Sequence, residues 1–291
     1  MHIGVFAPFL SKYATPAFMA DAARAAEEAG FHSIWAPEHV LLFDDYASRY
    51  PYTPDGRLRG GGDLGVLEPL NFLSFLAGAT SKIRLGTGIC LIPQRNPVYT
   101  AKEVATLDYL SGGRVDLGVG IGWLAEEFAA LAVPWPKRAQ RTRAYLEVMR
   151  RLWCDTVSEY HGEFYDLPAS RQYPKPVQQP PPVHFGGESD AALRRVADIG
   201  QGWFGFALDP EGLRERLTVL SDLLAARGRT LDDVVVSVSP SGRVLDQASL
   251  EAYHAAGADQ LIIQGRGRSP EEFIATLHEL GEKVVAPASR L

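Results

Sequence analysis

A glycine-dense stretch at residues 110–127 holds the residue types best suited to binding a flat ligand. A predicted helix ends inside this stretch, and a short apolar strand is predicted over 114–119. Glycines at the carboxyl end of a strand let a backbone approach a flat ligand closely, and parallel α/β proteins bind ligands at that end. Gly120, Gly122 and Trp123 therefore form a candidate binding turn. A helix end followed by a tight turn without a ligand is the alternative.

His39 follows the second predicted strand and can exchange protons near neutral pH. Glu38 precedes it, but adjacent side chains of a strand point to opposite faces, so we do not expect the two to pair. Because His39 stands between a strand and a long aromatic loop over 40–66, it suits hydrogen bonding or proton transfer to a bound ligand. A structural histidine bonded to a backbone carbonyl is the alternative.

The run Gly186-Gly187-Glu188-Ser189 stands directly before a predicted helix. Free N–H groups at a helix N-terminus bind phosphate, whereas simple capping by Ser189 is the alternative. The sequence has no Walker lysine, no GxGxxG after the first strand, no GxSxG elbow and no paired-carboxylate spacing. These features together favour a protein that holds a flat, phosphorylated cofactor, which would carry out the difficult chemistry.

Eight strand–helix units position these residues. Strands are predicted over 2–7, 33–37, 83–91, 115–119, 183–185, 202–206, 234–238 and 260–263. Helices are predicted over 16–29, 69–79, 97–110, 138–153, 189–199, 210–227, 249–256 and 270–280. This alternation predicts an α/β fold of the closed (β/α)8 TIM-barrel class, with an open doubly wound sheet as the rival. We expect one domain over 1–291, with an insertion or small hairpin at 157–182, between the fourth helix and the fifth strand.

The loops that follow the strands of such a barrel carry its ligand site. The residues at those positions are Pro8 and Phe9, Glu38 and His39, 93–96, Gly120, Gly122 and Trp123, 186–189, Phe206 and Ala207, Ser239 and Ser241, and 264–266. All the candidates above are among them, so we expect them to meet at one end of the barrel.

Composition excludes several classes of function. A net charge of −6 without any Lys/Arg run argues against nucleic-acid binding. No run approaches the ~18 apolar residues of a membrane span. The sequence shows no signal peptide, so we expect a cytoplasmic protein. Cys90 and Cys154 lie far apart in apolar contexts without metal-ligand spacing, so we expect no metal site and two buried, reduced thiols.

Recognisable motifs occur along most of the chain. They are AEEAGF (26–31), SIW (33–35), EH (38–39), IRLGTG (83–88), RNP (95–97), AK (101–102), LDYLSGGR (107–114), GVGIGW (118–123), EEF (126–128) and GGES (186–189). In these motifs the chain resembles the luciferase-like monooxygenase superfamily, and within it the oxidoreductases that depend on the deazaflavin coenzyme F420.

The resemblance implies a barrel with a flavin or deazaflavin across its C-terminal mouth and a non-prolyl cis peptide within 86–89, behind the ring. The catalytic residues that it implies are His39, Glu38 and Trp123. The cofactor-binding residues that it implies are His39, Thr87, Gly88, Asn96, Gly120, Gly122, Gly186, Gly187, Glu188 and Ser189. It implies no metal.

Two departures from the family pattern bear on the cofactor and the substrate. Trp123 stands where the sugar-phosphate dehydrogenases of the family carry an acidic proton donor, and Ile121 stands where bacterial luciferases carry an arginine for the FMN phosphate. The leading hypothesis is hydride transfer between reduced F420 and a small organic substrate. The alternatives are an FMN-dependent monooxygenase supplied with flavin by a separate reductase, and a flavin-binding protein without turnover. The expected partners are the substrate, a flavin or F420 reductase and, as a homodimer, a second copy of the chain.

Overall fold

Parallel strands alternate with helices in the computed structural model, which describes residues 1–8 and 14–291. The strands are β1 (His2–Phe6), β2 (Ser33–Ala36), β3 (Arg84–Thr87), β4 (Cys90–Leu91), β5 (Val115–Gly120), β6 (Ser158–His161), β7 (Asp166–Ser170), β8 (Val183–Gly186), β9 (Gly202–Phe206), β10 (Val235–Ser239) and β11 (Gln260–Gln264). The helices are α1 (Pro16–Glu28), α2 (Pro69–Ala79), α3 (Pro97–Ser111), α4 (Ala125–Ala130), α5 (Arg138–Cys154), α6 (Asp190–Ile199), α7 (Pro210–Ala225), α8 (Gln247–Ala255), α9 (Pro270–Leu280) and α10 (Ala286–Ala288). Phe9, which the sequence predicted to follow the first strand, lies outside the described residues.

Eight parallel strand positions close into a barrel. The strands follow the order β3-β2-β1-β11-β10-β9-β8-β5, and β3 pairs with β5 through Leu85 and Val115, which closes the ring. β4 continues the position of β3 and pairs with β5 through Cys90 and Val119. The predicted (β/α)8 barrel is confirmed, and the closure excludes the open doubly wound sheet.

Proline marks the start of five barrel helices. In α1, α2, α3, α7 and α9, the residue before the proline accepts a hydrogen bond from a backbone N–H of the first turn. The capping side chain satisfies an N–H that has no acceptor within the helix, and proline has no N–H to leave unpaired there. These local signals explain why the predicted starts of these helices, at 16, 69, 97, 210 and 270, agree with the observed ones.

Aromatic side chains fill the barrel interior below its carboxyl end. Trp35 is fully buried, and its ring stacks on Phe204 with the centroids 5.5 Å apart. Phe6 meets Phe204 edge-on at 6.3 Å. Nε1 of Trp35 donates to Oγ of Ser33 at 2.8 Å, so its polar atom is satisfied. A ligand that enters from the carboxyl end therefore meets an apolar, well-packed layer.

The antiparallel hairpin β6–β7 lies within the segment predicted as an insertion, 157–182. Oγ of Ser158 donates to the carbonyl of Arg151 at 3.0 Å, which ties the hairpin to the end of α5. Further along, the N–H of Gln178 donates to Oδ2 of Asp108 on α3 at 2.9 Å. The segment therefore packs against helices on the outside of the barrel.

The structure differs from the sequence-based expectations in several details. The third predicted strand divides into two strands, β3 and β4. The division lies at a cis peptide between Gly88 and Ile89, which agrees with the cis peptide that the family resemblance implied within 86–89. Helix α4 follows β5 directly and was not predicted. Cys90 is buried as expected, but the expectation was wrong for Cys154, which is exposed because it ends α5 at the surface. In the described part of the chain, no helix is both long and apolar enough to cross a membrane.

Candidate active site

A cavity of about 570 Å³ opens at the carboxyl end of the barrel strands. Ten of the predicted site residues line it: Glu38, His39, Gly88, Gly120, Gly122, Trp123, Gly186, Gly187, Glu188 and Ser189. A wider groove of about 980 Å³ lies at the opposite end, where β9 and β10 begin, and none of these residues lines it. Because (β/α)8 barrels carry their sites at the carboxyl ends of the strands, the smaller cavity is the candidate site.

His39 has hydrogen-bonding neighbours at both ring nitrogens. Its Nδ1 lies 3.2 Å from Oε2 of Glu127, and its Nε2 accepts a hydrogen bond from Nε1 of Trp123 at 3.3 Å. The side chain of His39 is 14% exposed, so the ring keeps one edge toward the cavity. The carboxylate of Glu38 pairs with Arg95 and not with the His39 ring, in agreement with the strand geometry expected from the sequence.

Glu127 is a buried carboxylate at the start of α4 that the sequence analysis did not select as a site residue. Besides facing His39, it accepts hydrogen bonds from the backbone N–H groups of Val40 at 2.6 Å and Leu41 at 3.1 Å and from Nε2 of Gln94 at 3.1 Å. Burial favours its neutral form, but the hydrogen bonds from His39, Gln94 and the backbone outweigh burial and lower its pKa. Glu127 is therefore ionised at neutral pH.

A second carboxylate attaches the segment 40–66 to α4. Oε1 of Glu126 accepts hydrogen bonds from the N–H groups of Ala47 at 2.7 Å and Ser48 at 3.2 Å. Oγ of Ser48 in turn accepts a hydrogen bond from the N–H of Ala125 at 3.0 Å. The first part of the segment is thus held at two points by neighbouring residues of one short helix.

Four aromatic rings form one side of the cavity, which we call the aromatic wall: Tyr50, Tyr52, Trp123 and Phe206. Tyr50 meets Trp123 edge-on at 5.1 Å and Tyr52 at 5.5 Å, and Tyr52 meets Phe206 at 4.7 Å. Edge-on pairs of this kind contribute ~0.5–1.5 kcal/mol each beyond their buried area. The wall is therefore packed before any ligand arrives, and it offers an apolar surface to a small organic molecule.

Ile89 forms the floor of the cavity, directly after the cis peptide. Its side chain lies against Gly120 and Gly186, the last residues of β5 and β8. A Cβ atom at position 186 would come within 2.7 Å of Cδ1 of Ile89, and a Cβ atom at 120 would come closer still. A side chain at either position would therefore have to displace Ile89, and glycine at both lets a flat ring approach the strand ends closely.

The cavity has features of an anion site at the start of α6. Three residues line this corner, which we call the anion corner: Gly187, Ser189 and Arg195. Ser189 caps α6 by accepting a hydrogen bond from the N–H of Ala192 at 3.2 Å. Gly187 has φ of +104°, a conformation that favours glycine. Nε of Arg195 is buried without a hydrogen-bond partner in the described structure. Backbone N–H groups at a helix N-terminus suit a phosphate, and a guanidinium suits a phosphate or a carboxylate.

Glu188 contacts the aromatic wall, although the resemblance implied a role in cofactor binding. Its Oε1 accepts hydrogen bonds from the N–H of Phe206 at 2.7 Å and from the hydroxyl of Tyr52 at 3.5 Å. Burial raises the pKa of Glu188, and these hydrogen bonds only partly offset that effect. An ionised carboxylate would repel a phosphate, so these contacts favour a role for Glu188 in holding the wall.

Three predicted site residues use their polar atoms to build the scaffold. Thr87 is fully buried, and its Oγ1 donates to a backbone carbonyl of β5 at 2.6 Å. Asn96 caps α3, and neither it nor Thr87 lines the cavity. The carboxylate of Glu38 forms an ion pair with Arg95, whose Nε lies 2.8 Å away, and accepts a hydrogen bond from the N–H of Leu91. The geometry thus favours structural roles for all three side chains.

Comparison with known proteins gives a family match over nearly the whole chain. The family model described as luciferase-like monooxygenase matches residues 1–285. An uncharacterized protein of Mycobacterium tuberculosis is 33% identical over 287 residues, which are 98% of this chain and 99% of that protein. Among solved structures, the F420-dependent tetrahydromethanopterin reductase from Methanopyrus kandleri has a similar fold, with a TM-score of 0.76, 18% identity and 98% coverage of both chains.

Two characterised relatives use different cofactors. The F420-dependent glucose-6-phosphate dehydrogenase of Microbacterium testaceum is 31% identical over 215 residues, 72% of this chain and 59% of that enzyme. The FMNH2-dependent dimethylsulfone monooxygenase of Pseudomonas putida is 31% identical over 168 residues, 56% of this chain and 46% of that enzyme. Since the family model and the mycobacterial relative both match almost the full length, the chain belongs to the luciferase-like monooxygenase family, whose members are F420- or FMN-dependent oxidoreductases.

Proposed function

We propose that the chain is an F420-dependent oxidoreductase that transfers a hydride between reduced F420 and a small organic substrate. The observation that carries the proposal is that one cavity joins an apolar floor at Ile89 to the anion corner at Gly187, Ser189 and Arg195. A flat ring that bears a phosphate requires these two features side by side.

The residues of the cavity fit a deazaflavin. Ile89, Gly120 and Gly186 would hold the ring, and Gly187 and Ser189 of the anion corner would hold the phosphate at the N-terminus of α6. When bound, F420 donates or accepts the hydride.

The protein's own side chains position the substrate and handle a proton. His39 orients the substrate and exchanges a proton with it at Nε2, once a substrate atom has replaced the indole N–H of Trp123 that this nitrogen accepts. Glu127 keeps the ring in place by facing Nδ1. The aromatic wall excludes water from the reacting atoms and shapes the space for the substrate.

One residue supports F420 over FMN as the cofactor, and another narrows the substrate class. Ile121 lines the cavity where bacterial luciferases carry an arginine for the FMN phosphate. Trp123 stands in place of the acidic proton donor of the family's sugar-phosphate dehydrogenases, so we do not extend the glucose-6-phosphate activity of the relative to this chain. The apolar wall suits a small substrate with an activated C=C, C=N or C=O bond.

Separate fluorescence titrations of the purified apoprotein with F420 and with FMN test the proposal. We expect saturable binding of F420 and much weaker binding of FMN. Tight binding of FMN alone would overturn the proposal and favour a monooxygenase that takes reduced FMN from a separate reductase. If F420 binds, a panel of compounds with activated double bonds should contain at least one that oxidises reduced F420. If no compound does so, the hydride-transfer proposal fails and a flavin-binding protein without turnover is favoured.

The resemblance extends the proposal to a cytoplasmic homodimer whose reduced cofactor is supplied by an F420 reductase. Light scattering after size-exclusion chromatography measures the oligomeric state directly. A molar mass of one chain at micromolar concentration would contradict the dimer without affecting the proposed reaction.

A further inference from the structure

Arg195 is a partly buried cationic side chain without a counter-charge. In the described structure it takes part in no ion pair, and its Nε is buried without a hydrogen-bond partner. Burial and the nearby charges of Arg138 and Arg194 lower the pKa of Arg195. A guanidinium that is both desolvated and repelled by its neighbours is unfavourable unless an anion joins it.

The acidic residues around Arg195 are paired with other arginines. Asp198 lies 3.0 Å from Nη1 of Arg143 and 2.5 Å from Nε of Arg227. Asp190 is paired with Arg216, whose Nη2 lies 2.5 Å from its carboxylate. The carboxylates nearest to Arg195 along α6 are therefore already neutralised.

Arg138 adds a second positive charge on the neighbouring helix. Its guanidinium lies 3.7 Å from the centre of the Trp135 ring, and its Nε donates to the carbonyl of Gly122 at 3.3 Å. In the described structure it forms no ion pair with an acidic side chain. Arg138 and Arg195 thus leave two positive charges uncompensated beside the cavity.

A groove of about 160 Å³ between α5 and α6 continues from the cavity. Arg195 lines both spaces, and Asp198 and Ile199 line the groove one turn further along α6. Ala192, Arg195 and Ile199 follow one another at helical spacing, so they form one stripe on α6 that leads away from the anion corner. A ligand that leaves the cavity past Ser189 meets Arg195 first and the groove next.

We propose that Arg195, with Arg138 beside it, binds a carboxylate of the glutamate residues on the tail of the cofactor, beyond the phosphate, and thereby selects a cofactor with an extended anionic tail. This inference rests on the proposed function, because F420 continues past its phosphate into carboxylate-bearing residues whereas FMN ends at its phosphate. The phosphate itself occupies the N-terminus of α6 at Gly187 and Ser189. The tail then follows the stripe toward the groove.

The test compares two deazaflavin ligands with the same ring and phosphate: F420 with several glutamates, and its precursor without any glutamate. Dissociation constants are measured by fluorescence for the wild type, for Arg195→Gln and for Arg194→Gln. The last variant is the matched control, since Arg194 is an exposed residue of the same helix that does not line the cavity or the groove. Thermal unfolding checks that each variant is folded.

We expect the wild type and Arg194→Gln to bind the tailed ligand about fivefold or more tightly than the tail-less one, as a charge-assisted contact predicts. In Arg195→Gln this ratio should fall to about one, while the affinity for the tail-less ligand stays within about twofold. Equal affinity of the wild type for both ligands would overturn this inference but not the proposed function. Equal weakening of both ligands in Arg195→Gln would assign Arg195 to the phosphate and also overturn it. If neither ligand binds the wild type, the proposed function fails and this inference fails with it.

Discussion

Nε1 of Trp123 lies 3.3 Å from Nε2 of His39, and this contact decides which nitrogen of the imidazole carries a hydrogen. An indole N–H can only donate, so Nε2 must be the unprotonated, accepting nitrogen. The hydrogen of the neutral ring is then on Nδ1, where Oε2 of Glu127 accepts it at 3.2 Å. In the proposed reaction a substrate atom reaches Nε2 only by replacing the indole N–H, so Trp123 and the substrate would compete for that atom.

Removal of the imidazole should abolish most of the turnover. We expect His39→Ala to lower the rate of reduced-F420 oxidation by about 10²- to 10⁴-fold, because orientation and proton transfer at Nε2 are lost. Steady-state rates at saturating substrate measure the effect, and cofactor titration checks that binding persists. Wild-type turnover in a folded His39→Ala protein would contradict the assigned role.

Neutralising Glu127 should affect both stability and turnover. In Glu127→Gln an NH2 group replaces one of the two carboxylate oxygens, both of which accept hydrogen bonds in the wild type. Because the NH2 group cannot accept them, we expect a loss of about 1–3 kcal/mol in the free energy of unfolding. The orientation of His39 should loosen as well, so turnover should fall while cofactor affinity changes little. Chemical denaturation and steady-state kinetics measure the two effects.

Glu126→Gln is the matched control, because Glu126 holds Ala47 and Ser48 of the same segment but does not contact His39. It should keep most of the turnover even if it loosens the segment. Equal losses of turnover in the two variants would show that the segment, and not the position of His39, governs the rate.

A negative charge in the anion corner should weaken cofactor binding. We expect Gly187→Asp to raise the dissociation constant about fivefold or more, through repulsion of the phosphate and loss of the close backbone approach. The backbone at φ +104° is strained for any side chain, so Gly187→Asn, which is similar in size but uncharged, measures the contribution of strain. The same affinity for both variants would mean that strain accounts for the whole effect.

The stacked pair of His2 and His32 should make the protein less stable in mild acid. Their ring centroids lie 3.9 Å apart. Burial, with added repulsion from His2 and Arg84 and opposed by Asp116, lowers the pKa of His32 from 6.5 to about 4. As the pH falls from 6.5 toward 4, the unfolded chain therefore binds a proton that the folded chain does not, and stability present above pH 6.5 is lost.

Urea unfolding at about pH 7.5 and about pH 5 measures this loss as a drop in the free energy of unfolding. The drop should be smaller in His32→Gln than in the wild type. It should be unchanged in His254→Gln, because His254 is an exposed residue of α8. An equal drop in the wild type and both variants would assign the acid sensitivity to other groups.

Local signals in the sequence were sufficient to predict the barrel. The capping residues and prolines that begin α3 and α7 are adjacent in the chain, and each apolar strand is short and continuous, so neither requires knowledge of distant contacts. The glycines of the floor and the anion corner could also be predicted, because they stand at or directly after the ends of β5 and β8 in the sequence. Residues whose role depends only on their neighbours in the sequence can therefore be predicted from the sequence.

Residues whose function depends on distant partners were not predicted. Glu127 faces His39 across 88 residues of chain, and only the folding of α4 onto the second barrel loop brings the two together. Arg195 is one of several arginines in its region, and the sequence does not show that the acidic residues pair with the others. Conversely, Asn96 belongs to a family motif, but its side chain is used to cap a helix.

Two parts of the cavity come from different parts of the chain, because the segment 40–66 is held by α4 and not by the barrel strands. The strand ends supply the floor and the anion corner, whereas this segment supplies half of the aromatic wall without contributing a strand or a barrel helix. Its anchors, the carboxylates of Glu126 and Glu127, contact backbone N–H groups at four positions, and those contacts do not depend on which side chains the segment carries there. Side chains of the segment can therefore be changed without removing these anchors, so we expect substitutions there to alter which molecules fit against the aromatic wall while the floor and the anion corner keep their shape.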